Sequence, residues 1–225
     1  MSRAAPRRAA TGRTTSRPAS RPTEATRRAL VEAGTGVFAE RGFAGGSVRL
    51  ITAKARANQA AITYHFGGKE GLYREVLIAA RDAFDSQGIL DEEGARTLPP
   101  EEALRLFLRQ YLLPLVRRDQ FSRYLRIFAW ETLAPTAVAL KLAAERPFPL
   151  LVLAGHIVRR FLPAGTPDRD MMIAALWLAN QPVAFVRNAE FLSREPFGLR
   201  FDAASIDALV ETLARLSLAG LAGRT

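Results

Sequence analysis

Between Ser47 and Tyr73 the chain reads SVRLITAKARANQAAITYHFGGKEGLY, and its polar groups are spaced for holding a polyanion. Gln59, Ala60, Thr63 and Tyr64 fall on the outward side of one short helix, followed by His65 and Lys69. A small residue lets a backbone approach a groove. Amides and hydroxyls can read base edges, and basic or phenolic tips can hold phosphates. Catalytic chemistry finds no comparable cluster. The sequence has no cysteine, two histidines in separate regions, no HExxH and no phosphate-cradling glycine loop. A metal hydrolase or nucleotide enzyme cannot be assembled from that. The paired acids Glu101-Glu102 and Asp168/Asp170 sit at helix starts, where the dipole accounts for them. The chain is read as a non-enzyme with no cofactor and no metal.

The elements that must position this cluster follow from periodicity and caps. Leu30, Ala33, Gly34, Val37 and Phe38 recur at three- and four-residue steps, giving a helix that Arg41-Gly42 should end. Ser47 offers an N-cap for a short helix carrying Val48 and Ile51. Asn58 offers another for Gln59 to His65, which Gly67-Gly68 breaks before Lys69 starts a longer helix. Val48, Ile51, Ala55, Ile62 and Phe66 supply the inward face that fixes the crossing of the two short helices. Residues 88–98 read as a loop. Helices are predicted over roughly 100–117, 119–133, 136–161 (weakened near Pro147 and Pro149), 168–194 and 202–221. No alternating strand pattern runs beyond a few residues, so the fold class is all α.

The net charge of +10 is unevenly placed. Residues 1–22 hold six arginines and no acid, whereas the last 150 residues are almost balanced. Such polarity fits a first third that meets nucleic acid. Residues 1–22 are poor in hydrophobic bulk and read as a disordered basic tail, placed to follow a DNA backbone or enter a minor groove. The apolar runs Leu150–Val158 and Met171–Val186 fall short of the roughly 18 residues that a membrane helix needs. The basic start leads into Thr, Ser, Pro and Arg rather than an apolar signal segment. A cytoplasmic protein without a membrane partner is expected.

The segment resembles the DNA-binding head of the TetR/AcrR family over about residues 24–75. The family signature, an aromatic-His-Phe triplet followed by lysine, is matched by Tyr64-His65-Phe66 and Lys69, with Leu72 and Tyr73 beyond. By that resemblance Tyr64, His65 and Lys69 grip phosphate, and Gln59, Ala60 and Thr63 face the bases. Ser47, Arg49 and Arg56, at the ends and in the first turn of the first short helix, complete the DNA-binding set. Two positions depart from the pattern. Ala55-Arg56-Ala57 stands where the family usually has Ala-Gly-Val, so Arg56 must hold a left-handed backbone at a cost of roughly 1–2 kcal/mol or change the turn. Thr63 stands where many relatives carry a tyrosine.

Further along, Phe128-Ala129-Trp130-Glu131 leading to Pro135, and Asn180-Gln181-Pro182, resemble the C-terminal domain of the CecR-like branch. The resemblance implies a homodimer through the last two helices, carried by Leu176, Ala179, Val183 and Val186 and by Ile206, Leu209, Val210, Leu213, Leu216 and Leu218. Aromatic side chains at helical spacing and two mid-helix prolines, Pro114 and Pro182, suggest kinked helices around a ligand cavity. Its candidate lining is Phe107, Tyr111, Tyr124, Phe128, Trp177 and Gln181. His156, beside Gly155 in an apolar run, is read as a packing residue.

The organisation expected is therefore a tail over 1–22, a three-helix helix-turn-helix head over 23–68, and a helical ligand-binding and dimerisation body over 69–225. The function expected is a transcriptional regulator, a repressor released from a palindromic double-stranded DNA operator by an apolar or amphipathic small-molecule effector. The alternative is a ligand-independent architectural DNA-binding protein.

Overall fold

A computed structural model describes residues 23–221, and the expectations for residues 1–22 lie outside that range. Among the described residues there are eleven α-helices and no strand. They are α1 (Glu24–Gly45), α2 (Val48–Ala55), α3 (Gln59–Phe66), α4 (Lys69–Gln87), α5 (Glu92–Thr97), α6 (Pro100–Leu112), α7 (Gln120–Leu133), α8 (Ala137–Glu145), α9 (Pro149–Arg159), α10 (Asp168–Leu192) and α11 (Ala203–Leu221).

Local chemistry sets most of the starts. The side chains of Thr23, Ser47, Asn58, Asp91, Asp119 and Thr136 each accept a backbone N–H in the first turn of α1, α2, α3, α5, α7 and α8. Each such cap satisfies a donor that would otherwise be orphaned. Gly42 takes φ 66°, so α1 breaks where the sequence indicates, and a last turn continues to Gly45. That glycine is also needed for space, since a Cβ on it would lie 3.0 Å from the Trp130 ring.

Three segments depart from the sequence reading. The segment read as a loop over 88–98 contains α5, because Asp91 caps it and Glu92 and Glu93 lie at the positive end of its dipole. The single helix expected over 136–161 is two, α8 and α9, separated at Arg146–Phe148, with Pro149 opening the second. Residues before a proline avoid the helical region, which turns a weak spot into a break. Pro114 does not kink a continuing helix; it sits in a single 3-10 turn, Leu113–Leu115, that ends α6. Pro182 does lie inside α10.

One contiguous core joins the two ends of the molecule. Leu30, Val37 and Phe38 of α1 pack with Ile51, Ile62, Leu72 and Tyr73, and the same core runs on to Phe107, Phe128, Leu153 and Leu178. α11 turns Ile206, Val210, Leu213 and Ala214 inward, packing chiefly on α6. Ile206, Val210 and Leu213, which the resemblance assigned to a dimer contact, are therefore used in packing within the chain. Ala179, Val183 and Val186 of α10 are likewise buried within their own chain. The large apolar side chains left exposed on these helices are Met172, Ile173, Leu176 and Trp177, with Leu216 on α11 and Phe191 in the last turn of α10. Periodicity marks an apolar face but not which neighbour covers it.

Candidate nucleic-acid interface

The helix geometry of α3 divides its eight residues cleanly. At about 100° per residue, Gln59, Thr63, Ala60 and Tyr64 occupy about 140° of arc, and Ala61, His65, Ile62 and Phe66 fill the other side. Burial follows that division. Gln59, Ala60, Thr63 and Tyr64 are exposed, Tyr64 by 72%, while Ala61 and Ile62 are in the core. His65 therefore does not stand beside Tyr64 on the outward face. Its ring is half-buried, 5.1 Å from the Tyr64 ring and edge-on to it, with Nε2 enclosed and without a hydrogen-bond partner among the described residues.

The ends of α3 are fixed by backbone chemistry. Asn58 Oδ1 accepts from Ala60 N at 2.9 Å. On the other side of that turn Arg56 has φ 52° and ψ 39°, a left-handed conformation, and is the only described non-glycine residue with positive φ. Its N–H closes on the Ala53 carbonyl at 3.3 Å, and the N–H of Ala57 reaches the Thr52 carbonyl at 3.0 Å. The turn is thus the glycine-like one, and an exposed arginine carries its strain. After α3, Gly67 (φ 73°) and Gly68 (φ 140°) make the reversal into α4.

The close approach of α3 to α4 depends on Gly71, a residue the sequence reading passed over. A Cβ there would fall 1.8 Å from the Phe66 carbonyl oxygen. A glycine two places after the motif lysine was the available signal. At the start of α4 no side chain caps the free N–H groups, so they and Lys69 form the positive end of a 19-residue helix. The Lys69 ammonium lies 4.3 Å from the Phe43 ring centroid. Partial burial pulls its pKa below the ordinary lysine value. The remaining candidates flank this face. Arg49 is exposed on α2, and the Ser47 hydroxyl accepts from Leu50 N at 3.2 Å as the N-cap of that helix.

Two links, one buried and one partly buried, tie the interface to the helices behind it. The Tyr73 hydroxyl donates to Glu131 Oε1. Burial, reinforced by the adjacent carboxylate, raises the Tyr73 pKa above its ordinary range, so the phenol remains a donor. The Tyr73 ring packs against Phe38 at 4.7 Å and Phe43 at 4.9 Å between centroids. Glu131 also accepts from the backbone N–H of Thr136 at 2.7 Å, which anchors the start of α8. Beside it, Trp130 Nε1 donates to the Ala39 carbonyl at 3.2 Å. Neither role of this Trp-Glu pair was read from the sequence, where the two residues served only as a resemblance.

The candidate ligand residues do not come together. Phe107 and Tyr111 are core aromatics in one cluster with Phe84, and Tyr124 is buried as well. Trp177 is 40% exposed, and the Gln181 amide donates back to the Trp177 carbonyl at 3.1 Å. Phe128 alone among the six lines an apolar cavity of about 240 Å³, with Leu140, Phe148, Leu150 and Leu176 as other walls and Glu131 as its only charged group. His156 is not simply packed. Its Nε2 lies 3.3 Å from an Arg96 guanidinium nitrogen and 3.6 Å from the Glu92 carboxylate. Among the described residues no group of acids and histidines is arranged to hold a metal ion. No single described helix is long and apolar enough to cross a membrane.

Comparison with known proteins places both halves. Residues 30–76 match the family described as bacterial regulatory proteins, tetR family. Residues 100–221 match the C-terminal domain of the HTH-type transcriptional dual regulator CecR. A TetR-like transcriptional regulator from Rhodococcus sp. RHA1 shares the fold with TM-score 0.59 and 20% identity, over 88% of this chain and 97% of that one. AibR, solved in complex with isovaleryl coenzyme A and operator DNA, is similar with TM-score 0.59 and 19% identity, over 83% of this chain and 97% of its own. No curated protein matches the sequence.

Proposed function

The chain belongs to the TetR family of bacterial DNA-binding transcriptional regulators, with a C-terminal domain of the CecR type, and we propose that it is a homodimeric repressor released from a palindromic operator by a small-molecule effector. The observation that carries this reading is the α3 surface. Gln59, Ala60, Thr63 and Tyr64 stand free of the core on a helix whose two ends are fixed by a left-handed turn and a paired-glycine reversal. In this reading Gln59 and Thr63 read base edges in a major groove, while Tyr64, Arg49, Arg56 and the Lys69 end of α4 hold phosphates. Ser47 orients α2 by capping it, and His65 supports the face from within.

Dimerisation is assigned to the exposed stripe Met172, Ile173, Leu176, Trp177 and Leu216. Soluble monomers seldom leave that much apolar surface together. The effector is assigned to the 240 Å³ cavity around Phe128 and Phe148. That volume lies below the roughly 300–1,000 Å³ of drug-sized ligand sites, so the effector is small and mostly apolar. The neighbour AibR, solved with both an acyl-coenzyme A and operator DNA, supports a response of this type.

A ligand there presses on α7 and α8, both of which Glu131 touches. A shift of α7 moves Tyr73 and the Trp130–Ala39 contact, and with them the head. Binding then favours a state in which the two α3 helices no longer match the half-site spacing. Selection of bound fragments from genomic DNA tests the proposal. It should return a palindrome with half-sites about one helical turn, or a multiple of it, apart. Enrichment without a common sequence would reject it in favour of an architectural role.

A further inference from the structure

The largest cavity among those described lies elsewhere and has the opposite chemistry. It measures about 1000 Å³ and is bounded by the end of α1, the 3-10 turn after α6, α7, the last turns of α10 and residues 198–202. Five arginines face it against three carboxylates, and each carboxylate already has a basic partner. Glu40 pairs with Lys54 at 3.5 Å, Glu190 with Arg194 at 2.5 Å, and Asp202 with Arg200 at 3.7 Å. Asp202 also accepts from Ser205 N at 2.9 Å as the residue before α11.

Arg118, Arg126 and Arg187 are left without a salt-bridge partner among the described residues. Arg126 gives one hydrogen bond, to the Pro114 carbonyl, which neutralises no charge. The Arg187 guanidinium carbon lies over the Trp130 ring, 3.3 Å from its centroid, with no hydrogen bond from the guanidinium among the described residues. Both are half-buried. Desolvation lowers the pKa of each, and for Arg126 the neighbouring Arg118 charge adds to the effect more than Glu40 offsets it. Three guanidiniums lining one cavity without a carboxylate partner, and with most of their donors free, resemble the preformed half of an oxyanion site.

We propose that this cavity binds a small molecule bearing a phosphate or carboxylate group, held by Arg118, Arg126 and Arg187. The apolar effector cavity is a separate site, so this assignment does not rest on it. The position gives the ligand a direct route to the interface. Arg187 rests on Trp130, whose indole donates to Ala39, next to the cavity-lining Glu40 of α1, and packs over the kink at Gly42. An anion drawing Arg187 off the Trp130 face alters the seating of α1 without entering the apolar core.

Calorimetric titration of the full chain with pyrophosphate, and separately with citrate, at constant ionic strength in potassium chloride tests this. One saturable site per chain is expected, and the tighter anion identifies the headgroup. An Arg118→Gln/Arg187→Gln variant should weaken half-saturation about tenfold or more, as expected for loss of charge-assisted bonds. An Arg49→Ala/Lys69→Ala variant should bind as the wild type does. Should the double cavity variant unfold, Arg118→Gln alone, at an exposed residue without hydrogen bonds, must still weaken binding. Neither anion binding beyond the chloride background would overturn the proposal. So would loss of binding in the Arg49/Lys69 variant with retention in the cavity variant, which would place the anion on the DNA-binding face.

Discussion

The head and the body are built from the same kind of helix, yet their surfaces are decided at different ranges. In α2 and α3 nearly every turn has a local cause. Ser47 and Asn58 cap, Arg56 takes the left-handed residue of the turn, and Gly67 and Gly68 reverse the chain. In the body, α10 and α11 carry apolar residues around much of their circumference, and only tertiary packing separates the core side from the exposed stripe. A DNA-reading surface must be rigid before its partner arrives, whereas a dimer or ligand surface is completed by its partner. Perturbing the head should therefore give local, predictable effects, and perturbing the body should act through assembly.

The largest effect is expected in the head. Gly71→Ala places a methyl on the Phe66 carbonyl, so α3 and α4 must separate. A loss of about 3 kcal/mol in stability, read by denaturant unfolding, is expected from such overpacking, with loss of operator binding. A normal melting curve would show that the junction yields more easily than the geometry implies.

Next comes the body. Leu176→Glu with Leu216→Glu should give monomers in sedimentation with an intact helical signal, because both side chains are already exposed in the single chain. Operator affinity should fall on the order of 100-fold through lost bivalency. A persistent dimer would move the interface elsewhere. The corresponding change at Leu213, which is 5% exposed, should instead destabilise the fold.

Smaller effects refine the same contrast. Arg56→Gly should raise stability by about 1 kcal/mol, the relief of a left-handed non-glycine residue less the added freedom of the unfolded chain. If stability rises while DNA affinity falls, Arg56 exchanges strain for a phosphate contact. Asp119→Ala, at the start of α7, should cost about 0.5–1 kcal/mol at neutral pH. The Ser122 N–H holds the Asp119 carboxyl below its ordinary pKa. Its contribution is therefore present above the usual carboxylate range and is lost as pH falls through the lowered value. Melting temperatures of the wild type and D119A should converge in acid.

Legibility in the sequence divides along the same line. Caps, glycines and the strained Arg56 could be read because each depends on residues within four positions. His65 could also have been placed, since 100° steps put it between Ala61 and Ile62, but the Tyr-His-Phe triplet drew it into the contact set. What could not be read needs distant partners: α5 on α9, Glu131 meeting Tyr73, and three arginines without a carboxylate partner lining one cavity from α7, α10 and the segment after α6. The ligand residues failed for that reason. Aromatic spacing in α6 and α7 marks core equally well, and of the six candidates Phe128 is the one that lines the apolar cavity.

The central claim is that the outward side of α3 reads sequence while the start of α4 reads charge. Competition binding of Gln59→Ala and Lys69→Ala, against operator and scrambled duplex at several salt concentrations, tests it most directly. Gln59→Ala should cost roughly 1–3 kcal/mol on the operator and much less on scrambled DNA, because a base-edge bond exists only at the matching pair. Lys69→Ala should weaken both duplexes alike and reduce the salt slope by about 1 per subunit. Equal loss on both duplexes for Gln59→Ala would contradict the account, since this glutamine would then hold backbone and another face of the head would read the bases.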